Sequence, residues 1–138
     1  AGHMTLIPDG KPCYCGKTGC VDAYCSARLL SDLSGGRLED FFLGLQQNNP
    51  DYRSVWDTYL KHLAVVINNL HMLLDYDIVL GGYVGSFLTP WLDTIRHLVA
   101  ERNTFEDDGS FVKLCTYQTG AAAYGAAMDV MEEFLRTV

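Results

Sequence analysis

Basic charge is scarce in this sequence. Lysine and arginine together number 10 against 17 aspartates and glutamates, for a net charge of −7. A surface of that sign repels phosphate backbones, so the chain by itself is not expected to bind nucleic acid. Long apolar runs are missing too: nothing approaches the roughly 20 residues that cross a bilayer, and no membrane role is expected. Nor does any stretch read as a secretory leader, which withholds support from an oxidising compartment and makes the cytoplasm the expected location. With 49% hydrophobic residues in a chain of 138, there is enough apolar material for one domain with a core of its own.

Cysteine, by contrast, is concentrated. Three of the five cysteines, Cys13, Cys15 and Cys20, fall within eight residues, and a single imidazole, His3, stands upstream. Gly10, Gly16 and Gly19 let the intervening chain fold back on itself, because glycine reaches positive φ without steric cost. Three thiolates and an imidazole form the usual ligand set of a closed, tetrahedral structural zinc site. Disulfides are the competing reading. A Cys13–Cys15 bridge would be strained, and an odd number of cysteines leaves one thiol unpaired in any all-disulfide scheme. Spacing alone leaves the place of His3 open, since Gly-His-Met is also a remnant of engineered tags.

The string Gly2-His3, nine residues, then Cys13-x-Cys15-Gly16-x-x-Gly19-Cys20-x-Asp22 resembles the zinc signature of the ROK family (repressors, open reading frames and sugar kinases). Four ligands and three glycines stand in register with it, which implies that His3 is native and that Ala1 is the doubtful residue. The family's last position is Glu, and here it is Asp22. The resemblance implies Zn²⁺ held by His3, Cys13, Cys15 and Cys20. It also implies a sugar site in which His3 and Asp22 face the hydroxyls of a sugar or sugar phosphate. For Asp22 an equal alternative is a carboxylate placed at a helix start by the helix dipole. The motif opens this sequence but sits mid-chain in the family. The chain is therefore expected to be a C-terminal part, without the family's phosphate-gripping glycine turn and catalytic aspartate.

Periodicity divides the rest. Residues 1–22 form the zinc-binding loop, and 23–138 an α/β C-terminal lobe. Apolar residues at helical spacing predict helices over 21–33, stopped by Ser34-Gly35-Gly36, and over 37–46. A longer helix spans 51–74, where Leu60, Leu63, Ile67, Leu70 and Leu74 make one stripe. His62 and His71 beside that stripe read as ordinary exposed or core-edge histidines. Ile78-Val79-Leu80-Gly81-Gly82 reads as a buried parallel strand entering a tight loop, apolar on both faces. A helix over 90–102 follows, opened by Pro90. After it come an acidic surface loop over 103–110, a strand over 111–117, and a closing helix over 120–138, alanine-rich and suited to close packing. Alternating strand and helix indicates an α/β layered domain. The resemblance implies part of the C-terminal lobe of an actin-like ATPase, ribonuclease H-like fold, helix-rich and with a zinc-bound loop.

Two functions from different classes follow. The first is the effector-binding and dimerisation part of a sugar-responsive transcriptional regulator, reaching DNA only through an N-terminal region. The alternative is the C-terminal part of an ATP-dependent sugar kinase, glucokinase-like, in which Gly81 and Gly82 approach the nucleotide and ATP/Mg²⁺ is used. Asp22 in place of Glu, and Tyr83 after the two glycines where the family has Gly or Ser, tilt the reading toward the regulator. The chain itself is expected to be inactive, because phosphoryl transfer needs metal, phosphate cradle and base together. Apolar strand and helix faces lead to the expectation of a homodimer.

Overall fold

A computed structural model describes residues 1–117 and 120–137 as a helix-rich α/β assembly. Its axis is α4 (Pro50–Leu74). The helix begins where chemistry favours a start. Asn49 Oδ1 accepts from the Asp51 and Tyr52 N–H groups at 3.0 and 3.2 Å, and Pro50 fills the first helical position, where no N–H is needed. It stops at Asp75, whose left-handed φ of 56° returns its N–H to the His71 carbonyl. The onset thus lies one residue before the predicted 51.

Around α4 pack α3 (Leu38–Gln46) and α6 (Leu92–Ala100), the latter preceded by a 3₁₀ turn over Thr89–Trp91. Trp56 is fully buried between them. It stacks on Tyr59, meets Phe42 edge-on with centroids 5.1 Å apart, and meets Trp91 edge-on at 5.6 Å. Leu30, Phe41, Leu60, Ile67, Ile95, Val99 and Val112 complete this core. Of the predicted stripe, Leu60 and Ile67 are buried, Leu63 and Leu70 are half-buried, and Leu74 is exposed. The stripe runs past the end of the core. His71, near that end, is buried against the Phe111 ring, with Nδ1 2.9 Å from the Tyr76 carbonyl oxygen.

The sheet has two parallel strands among the described residues, β1 (Ile78–Leu80) and β2 (Val112–Leu114), in register Ile78↔Val112 and Leu80↔Leu114. Arg96 of α6 donates from Nε and Nη2 to the Val112 carbonyl, tying the crossover helix to β2. Both strands are shorter than predicted. The expectation that β1 is covered on both faces is also corrected: Ile78 and Leu80 face the core, whereas Val79 is 60% exposed. With one neighbouring strand and one covered face, only alternate residues are shielded.

The predicted helix over 21–33 is broken into α1 (Asp22–Cys25) and α2 (Ala27–Leu33). Ser26 between them is extended, and its hydroxyl accepts from the Leu29 N–H as the cap of α2. One turn of helix, α5 (Gly82–Gly85), follows β1, and α7 (Ala121–Thr137) closes the chain. The alanine-rich packing expected there is not seen: Tyr124, Val130, Phe134 and Leu135 of α7 are exposed. Residue 138 of the predicted 120–138 helix and the side chain of Ala122 lie outside the described residues.

The aromatic cluster predicts a large and local cost. Trp56→Ala should destabilise the chain by about 3–5 kcal/mol. Val79→Ala, on the open face, should change stability by less than about 0.5 kcal/mol. Urea denaturation followed by far-ultraviolet circular dichroism measures both.

Candidate functional site

The N-terminal loop is held by backbone bonds and little apolar burial. Two short antiparallel bridges, Thr5↔Cys20 and Pro12↔Thr18, fold it onto itself. The Gly19 carbonyl accepts from the Leu6 and Ile7 N–H groups at 2.7 and 3.1 Å, while the Gly19 N–H donates to the Lys11 carbonyl at 2.8 Å. Gly19 has φ of 77°, and a Cβ there would overlap the Ile7 carbonyl oxygen, so both conformation and space demand glycine. The Cys13 N–H bonds to Lys17 and the Gly16 N–H back to Cys13, which closes a tight turn and brings Cys15 round toward Cys20.

This folding brings together the four donors that the sequence singled out. The ligand atoms of His3, Cys13, Cys15 and Cys20 all lie within 4.8 Å of one another. Cys15 Sγ is 3.7 Å from Cys20 Sγ, and His3 Nδ1 is 3.8 Å from Cys13 Sγ. A tetrahedral zinc site with metal–sulfur bonds of about 2.3 Å has edges of about 3.8 Å, so the donor set fits such an ion. The electrostatics fit as well. Burial pushes the Cys20 thiol up to about 11, whereas the Lys17 N–H holds Cys15 below the usual thiol value. Sulfurs this close cannot all carry charge unaided, and a divalent cation at their centre would supply what they lack. All five cysteines of the chain are free thiols, in disagreement with a disulfide scheme.

The carboxylate of Asp22 stands on the imidazole side of this cluster. It opens α1, its N–H donates to the Gly2 carbonyl at 2.9 Å, and a Cβ on Gly2 would come within 2.5 Å of its Oδ1. Gly2 therefore permits the close seating of Asp22. Between His3 and Asp22 lies a residue that the sequence reading missed. The Tyr14 hydroxyl donates to Asp22 Oδ2 at 2.8 Å and lies 3.3 Å from His3 Nε2. That bond to Asp22 holds the Tyr14 phenol above its usual pKa. The one available signal was its place between Cys13 and Cys15 in the same loop.

On its other side, Asp22 borders a cleft of about 390 Å³ that Gly81, Tyr83 and Tyr59 also line. The Tyr59 hydroxyl donates to the Cys25 carbonyl and fixes α1 on α4, and burial raises the Cys25 thiol to about 12. Gly81 ends β1 against Cys115, and Gly82, with φ of 73°, opens α5. The predicted sugar and nucleotide residues Asp22 and Gly81 thus share a cleft. His3 and Gly82 do not line it.

The loop, the strand–glycine turn and the helix-rich α/β scaffold together define a class. The ROK family model matches residues 1–133, and the chain belongs to the ROK family. Among its relatives, N-acetylmannosamine kinase of Escherichia coli O1:K1 is 28% identical over 141 residues, covering 97% of this chain and 47% of that protein. Glucokinase of Halalkalibacterium halodurans is 26% identical over 155 residues, covering 96% of this chain and 47% of that protein. The chain spans about half the length of these relatives. The crystal structure of a ROK family glucokinase from Streptomyces griseus, solved in complex with glucose and AMPPNP, superposes with a TM-score of 0.68 at 21% identity. That likeness covers 87% of this chain and 47% of that one, and it gives the fold: actin-like. Among the described residues no helix is long and apolar enough to cross a membrane.

Gly19→Ala should open the loop. Amide exchange at Leu6 and Ile7, whose N–H groups meet the Gly19 carbonyl, is expected to accelerate by at least tenfold, while exchange in α4 stays unchanged. Hydrogen–deuterium exchange resolved by residue measures it.

Proposed function

We propose that this chain is the zinc-carrying, sugar-facing part of an ATP-dependent sugar kinase. The observation that carries the reading is the position of Asp22. Its carboxylate is joined through Tyr14 to the imidazole of the four-donor loop, and it borders the cleft that Gly81 also lines. Zn²⁺ bound by His3, Cys13, Cys15 and Cys20 has four protein ligands and no open position, so its contribution is to hold the loop rather than to activate water. With Nδ1 turned to the sulfurs, His3 presents Nε2–H outward, and Asp22 presents an acceptor beside it. A sugar hydroxyl takes one bond from each. Gly81, at the end of β1, lines the same cleft, and ATP with Mg²⁺ would approach the backbone there and at Gly82.

The same residues would serve a sugar-responsive regulator. The relatives favour the kinase, since those compared are named for phosphorylation of N-acetylmannosamine and glucose. That support outweighs the tilt drawn from Asp22 and Tyr83 alone. Tyr83 lines the cleft with its side chain largely in solvent. A cytoplasmic homodimer is part of the same proposal, supported by the apolar side chains that Val79, Phe134 and Leu135 leave in solvent.

Two measurements on the polypeptide as expressed from its own reading frame test this. Elemental analysis should give one zinc per chain, and Cys20→Ser should abolish it; a metal-free wild type protein would remove the zinc reading. Asp22→Ala should weaken binding of glucose or N-acetylmannosamine by about ten- to a hundredfold in calorimetry, the scale of a lost hydrogen bond to a charged group. It should also depress ATP-dependent phosphorylation of that sugar. Unchanged affinity would make Asp22 a helix-start carboxylate, and binding without phosphorylation would return the regulator.

A further inference from the structure

The Tyr14 phenol occupies the corner between His3 and Asp22 with a particular direction of hydrogen bonding. Its O–H donates to Asp22 Oδ2 at 2.8 Å, so toward His3 Nε2, 3.3 Å away, the oxygen can only accept. His3 Nδ1 is turned to Cys13 Sγ, and metal bound at that nitrogen would leave the ring proton on Nε2; the chain is then continuous, imidazole N–H to phenol oxygen and phenol O–H to carboxylate. A sugar hydroxyl at the same point would accept from the same N–H and donate to the same oxygen. The phenol therefore stands in for a ligand hydroxyl.

We propose that Tyr14 is a self-ligand of the sugar site, a latch that an incoming sugar hydroxyl must displace. The inference rests on the sugar-site reading of His3 and Asp22. Little besides the two hydrogen bonds holds the ring. It is 75% exposed and touches the His3 ring edge-on, with centroids 5.2 Å apart. It also has somewhere to go. A groove of about 310 Å³ beside it, open to solvent, is walled by Pro12, Ser26, Arg28 and Asp32. Swinging into that groove vacates the corner without moving Cys13 or Cys15, because the rotation is about side-chain bonds. The latch lowers apparent sugar affinity by the fraction of molecules in which it is closed. It also discriminates among ligands: a compound without a hydroxyl able both to accept from His3 and to donate to Asp22 cannot replace the bonds it breaks.

The test uses the polypeptide as expressed from its own reading frame, with zinc content and thermal melting matched across variants. Glucose and N-acetylmannosamine are titrated calorimetrically into wild type, Tyr14→Phe and Tyr14→Leu. Phenylalanine keeps the ring and removes the hydroxyl; leucine removes both. Each variant should bind the sugar that wild type binds about three- to tenfold more tightly, the scale of one exposed hydrogen bond. Wild type binding with no gain in either variant overturns the latch and leaves the sugar site standing. Weaker binding by Tyr14→Phe also overturns it, because the hydroxyl is then a contact to the sugar and not its competitor. No binding of either sugar to any of the three proteins overturns the sugar reading and the latch with it.

Discussion

Everything at the N-terminal end depends on four donors being forced into a space about as wide as one tetrahedral ion. The loop that carries them buries few apolar side chains beyond Cys13, Cys20 and Val21, so the hydrophobic effect does little to hold it. Backbone bonds through Gly19 and the turn over 13–16 define its path. The thiol chemistry then imposes its own condition: sulfurs 3.7 Å apart repel once ionised and compete for protons when they are not. A divalent cation bound at these donors would add order to a loop arranged this way, as it does in small metal-bound loops generally.

That local order is transmitted to the rest of the chain through tyrosines. The Tyr24 hydroxyl accepts from the Lys11 N–H at 2.7 Å, fastening the loop to α1, and the Tyr59 hydroxyl fastens α1 to α4 at 3.0 Å. Tyr59 in turn stacks on Trp56 at the centre of the core. Asp22 sits at the start of α1 within this series, so its carboxylate inherits a fixed position from packing some distance away. β1 emerges alongside and delivers Gly81 to the same cleft. The core thus sets the span between the two walls, and the loop sets which polar atoms face across it.

How much of this was legible in the sequence depended on whether a feature leaves a local pattern. The donor set did: three cysteines with intervening glycines and one upstream histidine have few other uses. So did α4, whose stripe of Leu60, Leu63, Ile67 and Leu70 announces a long helix and misses its start by one residue. The break at Ser26 did not, because Ala23, Ala27 and Leu30 keep helical spacing straight across it. A serine cap becomes visible only when its hydroxyl is seen to take the Leu29 N–H. β1 read as doubly covered since three consecutive apolar residues cannot reveal that one face has no neighbour. Tyr14 was invisible for another reason. The middle residue of Cys-x-Cys is unconstrained by metal geometry, and its hydroxyl meets Asp22 only after the loop has closed.

On the proposed reading, the two sides of the His3 ring suit the corner beside Asp22 to recognising a hydroxyl. Nδ1 is turned to the sulfurs, 3.8 Å from Cys13 Sγ, and a zinc ion bound there would leave Nε2 as the outward donor. Asp22 is close enough to be bridged to it by a single hydroxyl, and is held there by an N–H to Gly2 and by the absence of a side chain on that glycine. One fixed donor and one fixed acceptor, spaced for one oxygen between them, select for a hydroxyl by geometry. On the proposed reading, the residues around Asp22 would therefore serve to hold an alcohol in place.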